Sequence, residues 1–183
     1  MGATEKLIAH IEKHHLWHNI EVIQRNDFVC IAGSTTPNLY YIEKGSLRLF
    51  VSENQEHTIR FGYEGNIITA LDSFVTGRPT VYFLQVLKST TIKVIAKPVL
   101  YRFMEKKIDV AALWTRILEE LIVQQLERER DLMITSPFER YQRVLKRSPE
   151  LFQHIPSKYI ANYLRMTPET LSRIMKEAKC QGD

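Results

Sequence analysis

The sequence holds two cysteines, Cys30 and Cys180, and they lie too far apart for any zinc, redox or cluster spacing. An iron–sulfur sensor needs about four thiolates, which argues against that class, and such thiol usage suits a reducing cytoplasm. No run approaches the ~18 consecutive apolar residues of a membrane span. The opening "MGATEKLIAHIEKHH" lacks the apolar stretch of a secretory signal, and Lys6 stands where a myristoylation pattern wants Ser or Thr. A cytoplasmic protein with no membrane attachment is the expectation. Catalytic machinery is missing as well: there is no glycine-rich phosphate cradle, no nucleophile elbow and no pair of metal ligands. We therefore expect a non-enzyme with no cofactor and no metal.

What is present suffices for a core, since 44% of the 183 residues are hydrophobic. The net charge of +4, with a pI near 9.0, leans mildly toward polyanions. That lean is uneven. Residues 140–179 carry nine Lys or Arg against three Glu, so the rest of the chain is slightly acidic. The basic end is the expected nucleic-acid surface.

Residues 5–17 read as a short helix. His10, His14 and His18 would share one face if it reached that far, and a solvated face outweighs a metal site there. From Ile20 to Lys97 the pattern changes to short β-rich runs such as "FVCIAG", "LYYIEKGSLRLFVS" and "HTIRFGY", separated by turn signals. Runs at this spacing predict a β-sandwich or jelly roll, with Gly45 at a tight hairpin. After Pro98 the period becomes helical, and from Val99 to Leu132 neither Gly nor Pro interrupts it. Its apolar stripe, with Val110, Leu113, Trp114, Ile117 and Leu121, is wider than a surface helix needs. The expectation is a helix that packs on the sandwich and also pairs with its copy in a second chain; the alternative is a core helix packed on the sandwich alone. Ser136–Pro137 break it. The expected division is a jelly-roll sensor over 1–98, a connecting and dimerisation helix over 99–135, and a DNA-binding unit over 136–183.

That last unit rests on "PSKYIANYLRMTPETLSRIMK", a helix-turn-helix pattern beginning at Ser157. Ile160, Leu164, Leu171 and Ile174 fall where the two helices pack, and Ala161 falls at their close crossing. Thr167 is an N-cap candidate and Pro168 suits the first helical position, so a new helix starts there for two independent reasons. Its outward residues, Glu169, Thr170, Ser172, Arg173 and Lys176, would enter the major groove, with Ser157, Lys158 and Arg165 beside the backbone. Arg173 can bond bidentately to guanine, and Glu169 can accept from a cytosine amino group. Arg165 stands where the turn usually has Gly, and a left-handed non-Gly residue costs on the order of 1 kcal/mol.

A jelly roll, a long helix and then "PETLSRI" resemble the cyclic-AMP receptor protein and FNR family of bacterial transcription regulators. The resemblance spans nearly the whole chain and includes "LYYIEKGSLRLF" and "YEGN". It implies an α+β fold: a cyclic-nucleotide-binding-like jelly roll, a dimerisation helix and a C-terminal helix-turn-helix. It also implies double-stranded DNA, a homodimer and RNA polymerase as partners, with base contacts at Glu169 and Arg173. The family's C-terminal β-hairpin wing is expected to be missing, because the sequence ends at Asp183.

The family's nucleotide cassette departs further. Its opening reads Ile68-Thr69-Ala70-Leu71, with Ala70 in place of the ribose-binding Glu. Its close has Thr80 in place of the phosphate-binding Arg and Val81 in place of Ser. A buried phosphate without a cation is strongly disfavoured, and Arg78 lies two residues from the required place. The expected effector is therefore another small molecule or none, and not cyclic AMP. The alternative to a DNA reader is a dimeric protein-interaction or sensor module of the same fold.

Overall fold

A computed structural model describes the chain over residues 1–180, with side chains to residue 178. The side chains of Lys179 and Cys180 and the end at Asp183 lie outside the described residues. Helix α1 (Ala3–Lys13) buries Leu7 and Ile11, one turn apart on a single face. It stops short of the expected limit, because His15 reverses the chain at a φ of +50°. His10, His14 and His18 therefore share no helical face: the His18 backbone N–H already donates to the Val94 carbonyl at the sheet.

The strands are β1 (Asn19–Ile23), β2 (Phe28–Cys30), β3 (Asn38–Ser52), β4 (Glu56–Tyr63), β5 (Ile67–Ile68) and β6 (Phe83–Ala96). Helix α2 (Leu71–Thr76) lies between the last two. All pairings are antiparallel, in the order β1-β6-β3-β4, with β2 also on β6 and β5 on β3. The long strands β3 and β6 run together, and their register shifts between Ile42 and Leu47. Gly45 lies in that irregular stretch at a φ of +102°. A Cβ there would come within 2.7 Å of the Ser89 carbonyl oxygen and of Thr90 Cα. Gly45 is thus a bulge at which two backbones approach, and the expected hairpin is replaced by one continuous strand. Ile42, Leu47, Leu84, Val86 and Ile92 fill the inside of the roll.

The expected uninterrupted helix is two: α3 (Lys97–Lys106) and α4 (Ile108–Met133), divided by extended Lys107. Neither Gly nor Pro marks this break. Its local signals are Lys106 in the last turn of α3 and Asp109 in the first turn of α4, each favourable to its helix dipole. At 26 residues α4 is about 39 Å long. Val110, Trp114 and Ile117 are buried inside the protomer, in a cluster with Ile11, Phe74 and Leu100. Of the expected stripe, those three residues close the protomer's own core against the roll, while Leu113 and Leu121 are half-buried. Besides Ile108 and Met133 at its two ends, α4 leaves Ile122, Val123 and Leu126 outside along its middle, exposed by 59%, 59% and 58%.

Four helices follow: α5 (Pro137–Arg147), α6 (Leu151–His154), α7 (Ser157–Tyr163) and α8 (Pro168–Cys180). The Ser136 hydroxyl caps α5 by accepting from the Glu139 N–H, and Pro137 opens it. Val144, Leu151, Ile160, Leu164, Leu171 and Ile174 form a third core, which Phe61 and Leu87 of the roll complete. Among the described residues no helix is long and apolar enough to cross a membrane.

Candidate nucleic-acid interface and the cassette

Helices α7 and α8 meet as the sequence pattern requires. Ala161 is fully buried at their crossing, and Leu164, Leu171 and Ile174 close the seam. Arg165 holds the turn at a φ of +55°. The Thr167 hydroxyl accepts from the Thr170 N–H at 3.2 Å, and Pro168 follows at the first helical position. These two residues fix where α8 starts and therefore which side chains face out.

Ser157, Lys158, Arg165, Thr167, Glu169, Ser172, Arg173 and Lys176 are all exposed, and Thr170 is half-buried. Pro168, Glu169, Ser172, Arg173 and Lys176 line one shallow concavity on the outer face of α8. The Thr167 hydroxyl caps the helix, and the nearby donors, the Glu169 backbone N–H first and then that hydroxyl, hold the Glu169 carboxyl below the usual range. It is thereby kept an acceptor. The Arg173 guanidinium lies 3.9 Å from Glu177, one turn on, in an exposed pair that water weakens.

The charge excess of this segment is only partly directed outward. Arg143 pairs with Glu127 at 2.8 Å and Asp131 at 3.0 Å, and Arg147 pairs with Asp131 at 2.6 Å. Arg140 is buried and donates to the Ile134 carbonyl. These three arginines fasten α5 to the end of α4. The guanidinium of Arg165, expected beside a phosphate, reaches His57 Nδ1 of β4. Among the described side chains of this segment, Lys146, Lys158, Arg173 and Lys176 are the exposed cations outside those contacts.

In the cassette, Ala70 is fully buried and Thr69 spends its hydroxyl on the Asn38 carbonyl. Arg78 is exposed, so its guanidinium is no internal substitute for the missing one. Leu71 is half-buried, and Val81 points outward at the rim. Sequence reasoning missed Asp72. Its carboxylate accepts from the Thr80 hydroxyl at 2.9 and 3.0 Å and from the Val81 N–H at 3.2 Å. The donors left at the cassette's close are thus already engaged by a fixed internal anion. An eight-residue separation, from the first turn of α2 to the irregular segment after it, offers no spacing rule that could have paired Asp72 with Thr80.

Residues 20–107 match the family model of the cyclic nucleotide-binding domain. No curated protein matches the chain in sequence. Among solved structures, the chain is similar to FixK2 from Bradyrhizobium japonicum, with a TM-score of 0.74 at 16% identity over 90% of this chain and 85% of that one. It is similar to the c-di-GMP responsive global regulator CLP from Xanthomonas campestris, at 0.70 and 14% over 96% and 93%. It is also similar to a regulator assigned to the Crp/Fnr family from Eubacterium rectale, at 0.66 and 16% over 98% and 84%. At such identities the likeness establishes the fold: a cyclic-nucleotide-binding roll followed by helices that end in a helix-turn-helix.

Proposed function

We propose that this chain, which has the fold of Crp/Fnr transcription regulators, is a dimeric, sequence-specific DNA-binding regulator of the cytoplasm with no enzymatic activity. The outer face of α8 carries this reading. It presents an acceptor at Glu169 and a guanidinium at Arg173 one turn apart, beside Ser172 and Lys176, while Leu171 and Ile174 anchor the inner face. This is the set of groups that reads base edges in a major groove. Lys158 and Lys176 supply phosphate contacts, and RNA polymerase is the protein partner of a DNA-bound dimer.

The division into a sensor over 1–98, a connecting helix over 99–135 and a reader over 136–183 assigns the dimer to α4. There Ile122, Val123 and Leu126 face a second copy, with Leu121 at their margin. Two-fold symmetry then requires half-sites about 10 base pairs apart. The sensor does not take cyclic AMP, because Thr80 stands where the phosphate's guanidinium is required and Asp72 already holds the Thr80 hydroxyl. The similar CLP, a c-di-GMP responsive regulator, supports an effector other than cyclic AMP.

The internal use of Arg140, Arg143 and Arg147 favours a second reading, a dimeric protein-interaction module. Gel-shift titration over a salt series separates the two. A DNA reader shows a steep negative slope of log affinity against log salt, while an interaction module binds weakly at every salt concentration.

A further inference from the structure

We propose that Asn162 is a positioning residue, clamping α7 to the outer edge of β4 so that the sensor's edge strand sets where α8 points. Strand β4 ends the sheet, with β3 on one side and, among the described residues, no strand on the other. An uncovered edge offers a row of bare N–H and C=O groups. Here the edge is covered by side chains. The Asn162 carboxamide donates from Nδ2 to the Glu56 carbonyl at 2.8 Å and accepts at Oδ1 from the Thr58 N–H at 2.8 Å. One amide therefore satisfies a donor and an acceptor two residues apart, as a neighbouring strand would. The Thr58 carbonyl, next along that edge, accepts from Arg128 of α4 at 2.8 Å.

The surroundings leave α7 no second seat. Arg48, 4% exposed, has its guanidinium 4.0 Å from the Phe50 ring centre and 4.5 Å from that of Tyr159 on α7. It pairs with Glu56 at 2.6 Å and donates to Gln85 Oε1 from two nitrogens, at 2.9 and 2.7 Å. The Phe61 ring meets Tyr163 at 5.5 Å, and Tyr63 stacks on His154 at 4.8 Å with planes 2° apart. Because Ala161, Leu164, Leu171 and Ile174 lock α8 across α7, a shift of β4 is transmitted to α8 as a rigid displacement. The route runs through an edge strand and bypasses the α4–α5 elbow. It holds whatever α8 binds.

The test uses the full chain and the variants Asn162→Ala and Asn162→Asp. Asn162 is half-buried and belongs to none of the three apolar cores, so the helix-turn-helix fold should survive. Hydrogen exchange at the Thr58 amide and protease cleavage at the elbow, residues 134–137, are the readouts. In Asn162→Ala both should rise roughly tenfold, the scale of losing two hydrogen bonds, with the far-UV spectrum unchanged. Asn162→Asp keeps the acceptor but sets an oxygen against the Glu56 carbonyl. It should keep Thr58 protected while still speeding cleavage. On a selected operator, Asn162→Ala should bind several-fold more weakly with the parent's salt slope, since no phosphate contact is removed. Unchanged exchange and cleavage in Asn162→Ala overturn the clamp. A parent chain that fails to bind DNA overturns the DNA reading instead and leaves the exchange result to judge Asn162.

Discussion

Arg173 and Lys176 stand three residues apart on α8, yet they are expected to fail differently. Arg173→Ala should cost roughly 1–3 kcal/mol on the selected operator and flatten the preference at one base pair per half-site. Lys176→Ala should weaken all duplexes alike and reduce the salt slope by about one. Titrating both variants against operator and scrambled DNA checks this, and equal losses on both duplexes for Arg173→Ala would remove its base-reading role. Asp72 gives the second residue-level expectation: millimolar cyclic AMP should leave the melting temperature unmoved. A ligand at 100 times its dissociation constant would add about 2.7 kcal/mol, so binding could not pass unnoticed. The Arg165 turn and the Thr167–Pro168 start were legible in the sequence because they are local backbone chemistry. The partners of Asp72, Arg143 and Arg147 were not, because they depend on tertiary approach between segments that no period relates.

Among the elements, α4 shows how one apolar pattern leaves its division between two neighbours open. Its apolar stripe was visible, but periodicity cannot tell a protomer's own core from a second copy. The two faces now predict opposite outcomes. Trp114→Ala should cost about 3–5 kcal/mol in thermal or denaturant unfolding, because it empties the cluster around Phe74. Leu126→Glu should leave that stability nearly intact while shifting sedimentation toward the monomer. Helix α1 adds a pH dependence. Lys93 meets Glu12 at 2.7 Å and Glu43 at 3.0 Å, tying α1 to β3 and β6. The bond from Lys93 is the main cause that lowers Glu12 from its ordinary 4.5, and those two acids raise Lys93 from its ordinary 10.5. The depressed carboxyl stabilises fully above pH 4.5, an advantage lost as pH falls through its folded value. The raised ammonium stabilises below pH 10.5, an advantage lost as pH rises through its folded value. Lys93→Met should remove the part of both limbs that this bridge supplies in melting curves run across pH.

At the scale of the whole molecule, the order of roll, long helix and helix-turn-helix was legible because each has its own period and turn chemistry. How the last part sits on the first was not. That arrangement depends on Asn162, more than a hundred residues from the strand it meets, and on Phe61 and Leu87 completing a core built by helices. A chain cut after residue 135 should therefore lose solubility and self-associate through β4, which light scattering on the truncated protein would detect. The shared core also bears on exchangeability. The roll lends Phe61 and Leu87 to its neighbour's core, and the neighbour lends the Asn162 amide and the Arg165 guanidinium to the roll, so neither is a cassette that can be transplanted by its ends alone. A chimera carrying a foreign reading head would inherit a socket shaped for Asn162 and Tyr159. Its success would depend on that fit before any question of which operator the new head prefers.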